Sequence, residues 1–158
     1  GGCLVPLILS KLNVCLQYNV VDLGQMIPTG FIILSYFNPS LNLTLPNEEI
    51  SSNTNVAFHL PQHKYQSRGP ANIMLNVTSF QEMSLLQVED YFSFIDKMLA
   101  PGGYFLCINR MQKETRFESY PWPNNGYTIE VDREDAISRI SGNSIKIQFR
   151  LLKKNAVV

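Results

Sequence analysis

The sequence predicts a doubly wound α/β fold, and the stretch from Ala71 to Arg110 carries most of that prediction. Residues 71–79 have the composition of a buried strand, residues 79–99 the periodicity of an amphipathic helix, and residues 104–110 the composition of a second buried strand. An apolar strand joined to the next by a helix is typical of a parallel sheet covered on both faces. We therefore expect a βαβ unit at the centre of the fold.

The helix of this unit has a predicted start and a predicted end. Ser79 is suited to cap its first turn, and Glu82 three residues later completes a capping box. The Pro-Gly-Gly turn at 101–103 ends it. In the preceding strand Ile73 and Met74 lie on opposite faces, so both faces are expected to be covered.

Length and charge narrow the class of protein. At 158 residues the chain fits one domain that folds on its own hydrophobic core. Thirteen basic residues balance thirteen acidic ones, and no basic stripe with interleaved aromatics occurs, which argues against a nucleic-acid partner. No run of about 18 apolar residues is present, so no membrane span is predicted. Three cysteines without metal-ligand spacing predict reduced thiols and a cytoplasmic location.

The first residues follow an order that nucleotide-binding α/β folds share. Gly1 and Gly2 precede an apolar helical segment, residues 3–13, and a strand at 16–23 follows with Asp22 at its carboxyl end. Glycines let the backbone approach a nucleotide, and an acid about 20 residues later binds ribose hydroxyls. The strand that would precede the glycines is missing from the sequence. We therefore expect the chain to be the C-terminal part of a longer protein.

The other segments complete the predicted sheet. We expect a helix over 24–37, a polar surface loop over 38–55 and a strand over 55–60. Two further strands, 127–131 and 144–152, are predicted to form an antiparallel hairpin at one edge, with a helical turn between them.

The segment 111–127 combines polar and aromatic residues, with Trp122 between two prolines. Such a segment is either a surface loop or a wall or lid over an acceptor pocket, because long loops in compact domains are often functional. The sequence leaves both interpretations open.

A candidate site follows from the predicted topology, because ligands of open α/β sheets bind at the carboxyl ends of the strands. The polar residues that the central unit places there are Asn76, Thr78, Ser79, Glu82, Asn109 and Arg110. We expect them to lie together.

Four phrases of the sequence resemble class I S-adenosylmethionine-dependent methyltransferases, and most of all the sugar O-methyltransferases of bacterial polysaccharide and lipopolysaccharide biosynthesis. They are YNVVDL at 18–23, LNVTSFQEM at 75–83, YFSFIDKMLAPGGYF at 91–105 and INR at 108–110. The resemblance covers nearly the whole chain. It implies a Rossmann-like, mostly parallel seven-stranded sheet, here without its first strand, and an antiparallel final hairpin.

The resemblance also implies a cofactor, S-adenosyl-L-methionine, and a carbohydrate hydroxyl as acceptor. The residues it assigns to the cofactor are Gly1 and Gly2 at the end of the glycine loop, Asp22 and Leu23 at the ribose, His59 and Leu60 beside the adenine, and Asn76, Thr78 and Ser79 beneath the methionine part. The adenine side often carries an acid in this superfamily, whereas this sequence offers His59.

Several of these residues also have a structural interpretation. Glu82 is either the catalytic base or acceptor ligand, or only a helix cap. Arg110 with Asn109 either holds sugar hydroxyls or an anionic group, or ends a solvated strand. His59 and His63 are spaced around a proline with no third ligand, so no metal site is expected.

Three hypotheses of function remain open at this point. The first is a cytoplasmic O-methyltransferase that acts on a sugar hydroxyl. The second is a non-catalytic methyltransferase-like binding module or fragment. The third is a nicotinamide-dependent Rossmann enzyme, which the glycine-to-acid spacing alone would allow, but the SFQEM and LAPGG phrases favour the first.

Overall fold

A computed structural model of the protein divides into two compact units, Gly1–Arg68 and Gly69–Val158. The structure describes residues 4–12, 17–67, 69–135, 138 and 145–156. Each unit is described by itself, and the organisation of the chain as one domain stays a prediction.

The N-terminal unit contains a three-stranded parallel sheet. Its elements in chain order are α1 (Leu4–Lys11), β1 (Tyr18–Val21), α2 (Ile27–Phe37), β2 (Leu43–Thr44), β3 (Val56–His59) and a 3-10 helix, Pro61–Gln66. The strand order is β1-β3-β2, with both pairs parallel. The buried residues of its core are Val20, Ile27, Leu34, Val56 and Phe58.

The predictions for this unit are confirmed for α1, β1 and β3 and need two corrections. The helix expected from residue 24 begins at Ile27, and Pro28 lies in its first turn, where its missing N–H is not needed. The segment expected to be loop, 38–55, contains the two-residue strand β2, which is too short to give a periodic pattern.

The C-terminal unit contains a four-stranded mixed sheet. Its elements are β4 (Ala71–Val77), α3 (Leu85–Met98), β5 (Leu99–Arg110), β6 (Tyr127–Glu134) and β7 (Ile147–Lys154). The strand order is β4-β5-β7-β6, in which β4 and β5 are parallel and β7 is antiparallel to both of its neighbours. The predicted βαβ unit and antiparallel hairpin are confirmed. The predicted end of the helix is wrong, because α3 ends at Met98 and β5 begins at Leu99, so the Pro-Gly-Gly at 101–103 lies within the strand. The helical turn predicted between β6 and β7 falls largely outside the described residues.

The predicted start of the long helix is wrong. The side chain of Ser79 makes no capping bond, and residues Phe80–Glu82 form a separate 3-10 turn. The capping box belongs to Ser84 and Gln87, since the Gln87 N–H donates to Ser84 Oγ (3.4 Å) and the Ser84 N–H donates to Gln87 Oε1 (2.9 Å). Both serines have the required partner three residues later, and the extended backbone at Met83 selects the second.

One face of the sheet in this unit packs against α3 and the other does not. Phe105 and Cys107 are buried with the residues of α3, and Met74 packs against the same core. On the opposite face Ile73 is 61% exposed and Val77 is 45% exposed. The prediction that β4 is covered on both faces is therefore wrong for this unit, because alternation of apolar side chains does not itself supply a covering element.

The aromatic segment that follows β5 packs into the core. Phe117 and Tyr120 are buried, and the ring of Trp122 contacts Phe92 on α3 at a centroid distance of 5.2 Å. The guanidinium of Arg150 stacks on Trp122, 4.3 Å from the ring centroid. These contacts make the segment a fixed wall of the unit and not a loosely attached surface loop. That it borders an acceptor pocket stays a prediction.

The described part of the chain contains no helix whose length and apolar character would allow it to cross a membrane.

Candidate functional site

The carboxyl edge of the N-terminal sheet brings four of the predicted cofactor residues together. The backbone N–H of Asp22 donates to the carbonyl of His59 (3.2 Å), which fixes the two strand ends to each other. Asp22 Oδ1 accepts from the N–H of Leu23 (2.8 Å). A methyl group on Gly24 would lie 3.4 Å from Leu60 Cδ2, so Leu60 borders the same loop.

The side chain of His59 is used inside this unit. It is 4% exposed, and its Nε2 lies 2.9 Å from Asn19 Oδ1 on the neighbouring strand. Burial lowers the pKa of His59, and the charge of nearby His63 lowers it further. His59 is therefore a neutral, hydrogen-bonded core histidine, and any contact with a ligand at this edge falls to its backbone and to Leu60.

In the C-terminal unit, two asparagines connect the carboxyl ends of β4 and β5. Asn109 Nδ2 donates to Asn76 Oδ1 (2.8 Å), and Asn76 Nδ2 donates to Ser79 Oγ (2.5 Å). Asn109 Oδ1 accepts from the N–H of Gln81 (3.2 Å). Asn109 is completely buried. It can position its neighbours but cannot touch an acceptor.

Thr78 has an unusual backbone at this edge. Its φ of 59° lies in the left-handed region, which is rare for a β-branched residue and costs on the order of 1–3 kcal/mol. Its N–H donates to the carbonyl of Ile108 (2.7 Å), which continues the pairing of β4 with β5 by one residue. Strain of this kind is concentrated at ligand sites, which agrees with the place predicted for Thr78.

Glu82 is not a helix cap. Both of its carboxylate oxygens accept hydrogen bonds from Lys113 Nζ at 2.5 Å, and Oε1 also accepts from Gln81 Nε2 (3.1 Å). These bonds, that of Lys113 first, lower the pKa of Glu82. The side chain is 53% exposed, so an ionised carboxylate is accessible at the carboxyl end of the sheet.

Gln81 and Lys113 belong to this cluster and are absent from the residues predicted to form the site. Gln81 is 4% exposed, and its Oε1 accepts from the N–H of Arg110 (2.8 Å) while its Nε2 holds Glu82. The position of Gln81 inside the SFQEM phrase is the feature of the sequence that could have included it in the predicted site. Lys113 lies 31 residues from Glu82, and nothing in the sequence connects the two.

The remaining predicted positions are placed as follows. Gly1 and Gly2 lie outside the described residues. Arg110 closes β5 and is half-buried. Among the described residues no group of three or more His, Cys, Asp or Glu side chains could hold a metal ion.

A cavity of the C-terminal unit lies away from these strand ends. Its volume is about 390 Å³, and it is bounded by α3, the proline-flanked wall and the start of β6. None of the residues predicted for the site lines it. The hydrogen-bond network at the strand ends is therefore a better guide to the chemistry than the shape of this cavity.

Comparison with solved structures shows which fold these elements form. An rRNA methylase from Streptococcus thermophilus matches with a TM-score of 0.59 at 11% identity, over 87% of this chain and 72% of that one. TrmN from Thermus thermophilus matches with a TM-score of 0.50 at 13% identity, over 96% of this chain and 48% of that one. The O-methyltransferase TomG from Streptomyces achromogenes, in complex with SAM, gives 0.49 at 11% identity, over 98% and 79%.

No family model matches the sequence, and no curated protein matches it. At these identities the structural likeness establishes the fold alone. The chain has a methyltransferase-like α/β fold, built here from a three-stranded parallel sheet and a four-stranded mixed sheet. The coarse fold class predicted from the sequence is confirmed.

Proposed function

We propose that the protein is an S-adenosyl-L-methionine-dependent O-methyltransferase that acts on a carbohydrate hydroxyl. The observation that carries the proposal is the likeness of the fold to a methylase, with a TM-score of 0.59. The sugar O-methyltransferase phrases of the sequence support the finer assignment. The balanced charge of the chain favours a small polar acceptor over a nucleic acid.

The proposed cofactor contacts are the residues that the resemblance assigns to the cofactor. They are Gly1, Gly2, Asp22, Leu23, His59 and Leu60 in the N-terminal unit and Asn76, Thr78 and Ser79 in the C-terminal unit. Asp22 would accept hydrogen bonds from ribose hydroxyls. Its carboxylate has acceptor capacity left, because Oδ1 accepts one bond, from the N–H of the adjacent Leu23. His59 would contribute its backbone, because its side chain is bonded to Asn19.

The proposed acceptor residues are Glu82 and Arg110. When bound, the cofactor supplies a methyl group on a positively charged sulfur. Transfer of that methyl group to a hydroxyl would need a residue that positions the hydroxyl and a base that takes its proton. Glu82 orients the hydroxyl by accepting its hydrogen bond and takes its proton. Gln81 and Asn109 hold Glu82 and Arg110 in place.

The seven-stranded sheet without its first strand belongs to the same proposal. In the described part of the chain β1 is hydrogen-bonded only to β3, and β4 only to β5, so each strand leaves one edge unpaired. A cytoplasmic location likewise remains a prediction from composition.

Calorimetric titration with S-adenosylhomocysteine and with NAD separates the three hypotheses. The proposal predicts binding of S-adenosylhomocysteine only. Binding of neither ligand would favour a non-catalytic module, and binding of NAD alone would favour a nicotinamide-dependent enzyme.

The role of Glu82 is tested by Glu82→Gln in a protein that binds the cofactor. Glutamine keeps the size and can keep one of the two bonds from Lys113, but it removes the charge. Transfer of a radiolabelled methyl group should fall by about 10²–10⁴-fold, with the affinity for S-adenosylhomocysteine unchanged. Normal transfer in this variant would remove Glu82 from the reaction.

A further inference from the structure

The carboxyl end of β5 carries an excess of positive charge. The charged residues there are the basic Arg110, Lys113, Arg116 and Lys146 and the acidic Glu82 and Glu114. Lys146 belongs to this end because its carbonyl accepts from the N–H of Met111 (2.8 Å). Glu134 ends β6 and Asp135 follows it, and β7 separates β6 from β5. The N–H of Asp135 donates to the carbonyl of Ile147 (2.8 Å), so this acid lies one strand away from Arg110 and reduces the excess without cancelling it. The whole chain has no net charge, so this excess is local.

Arg110 has a fixed backbone, and its side chain has no hydrogen-bond or ion-pair partner among the described residues. Its N–H donates to the buried Gln81 (2.8 Å), and it pairs in register with Ile147 of β7. Its guanidinium is half-buried and makes no hydrogen bond or ion pair with the residues that the structure describes. A half-buried guanidinium without an anion is costly unless a ligand supplies one.

Glu82 makes no hydrogen bond or ion pair with this guanidinium, although the charge of Arg110 is one of the smaller causes that lower the pKa of Glu82. Both of its oxygens are bonded to Lys113, and one of them also to Gln81. The charges of Glu82 and Lys113 thus balance each other. Arg110 lies beside the accessible carboxylate of Glu82 but does not contact it. The five donors of a guanidinium form a rigid fork that matches the two oxygens of a carboxylate or phosphate group.

We propose that the acceptor of this enzyme is anionic, and that Arg110 binds its carboxylate or phosphate group while Glu82 binds the hydroxyl to be methylated. Only the part of the inference that concerns the hydroxyl rests on the proposed function. The anion site is argued from the geometry of Arg110. Uronic acids and sugar phosphates share the required chemistry.

The test is a titration of the ¹⁵N-labelled protein, saturated with S-adenosylhomocysteine, by three probes: glucuronate, glucose phosphate and the neutral methyl glucoside. We expect one or both anionic probes to shift the backbone resonances of residues 109–113 saturably and to bind at least about tenfold more tightly than the neutral glycoside. Arg110→Gln should abolish this preference, and Arg110→Lys should restore part of it. Lys97→Gln, at the opposite end of α3, is the matched loss of a positive charge and should leave it unchanged.

The outcomes separate the two proposals. Equal affinity for the three probes, or a preference that survives Arg110→Gln, overturns the anion site while binding of S-adenosylhomocysteine leaves the proposed function standing. If S-adenosylhomocysteine does not bind, the three probes are titrated into the protein alone, and a preference for an anionic probe that depends on Arg110 then supports the anion site while the methyltransferase proposal is overturned. Comparison of the glucuronate and phosphate arms distinguishes a uronic acid from a sugar phosphate.

Discussion

The two units of this protein position polar groups in different ways. In the N-terminal unit the side chain of Asp22 is held by one local bond from the N–H of Leu23, and the small core of the unit is mostly aliphatic. In the C-terminal unit the strand ends are connected by the side chains of Asn76, Asn109 and Gln81 above a core rich in aromatic rings. The residues proposed to bind the acceptor are therefore positioned by the fold before any ligand binds. Asp22, the residue proposed to bind the ribose, is available but less constrained.

The largest effect is expected from the aromatic core. Phe80 is 1% exposed, and its ring lies 5.7–5.8 Å from those of Tyr91, Phe92 and Tyr120. Phe80→Ala should lower the free energy of unfolding by about 3–5 kcal/mol. Trp122 is the single tryptophan of the chain and belongs to this core, so its fluorescence in urea unfolding reports on the unit directly.

The matched change in the other unit is Leu34→Ala, since Leu34 is completely buried there. An equal displacement of the Trp122 transition by Leu34→Ala would show that the two units unfold together. A Trp122 transition that Phe80→Ala leaves in place would contradict the packing described for the C-terminal unit.

A smaller loss is expected from the polar network. Asn109→Ala removes the partners of the Gln81 N–H and of Asn76, and each buried group left unpaired costs about 1–3 kcal/mol. Asn155→Ala, at an exposed position bonded to Thr128, should change the stability by less than about 0.5 kcal/mol. Equal stability of the two variants in chemical denaturation would show that the network does not support the strand ends.

The start of α3 gives a more specific test, with a smaller expected effect on stability. Ser84→Ala should destabilise the protein by about 1 kcal/mol through loss of the capping box. Ser79→Ala removes no capping bond, but it takes the acceptor from Asn76 Nδ2, so it is not a neutral control. An unchanged thermal melt in Ser84→Ala would contradict this start of α3.

The fold was predictable where a pattern is local. The βαβ unit, the final hairpin and the strands that end at Asp22 and His59 all follow from runs of apolar residues and their turns. The start of α3 was not predictable, because two serines satisfy the same capping rule and only the backbone at Met83 distinguishes them. The strand β2 is too short for any periodic pattern.

The candidate site was predictable by position and less so by role. Topology alone placed Asn76, Glu82 and Arg110 at neighbouring strand ends, and the structure finds them there. That Asn109 is buried, and that Lys113 holds Glu82, depends on contacts between residues far apart in the chain. Such contacts leave no trace in a single sequence.

The central claim is that this fold binds S-adenosyl-L-methionine through Asp22. Calorimetric titration of S-adenosylhomocysteine into the unmodified protein, Asp22→Ala and Glu82→Gln tests it most directly. We predict one binding site, weakened by about 1–3 kcal/mol in Asp22→Ala because charged hydrogen bonds to the ribose are lost, and unchanged in Glu82→Gln. No binding to the unmodified protein, or equal affinity in Asp22→Ala, would contradict the account.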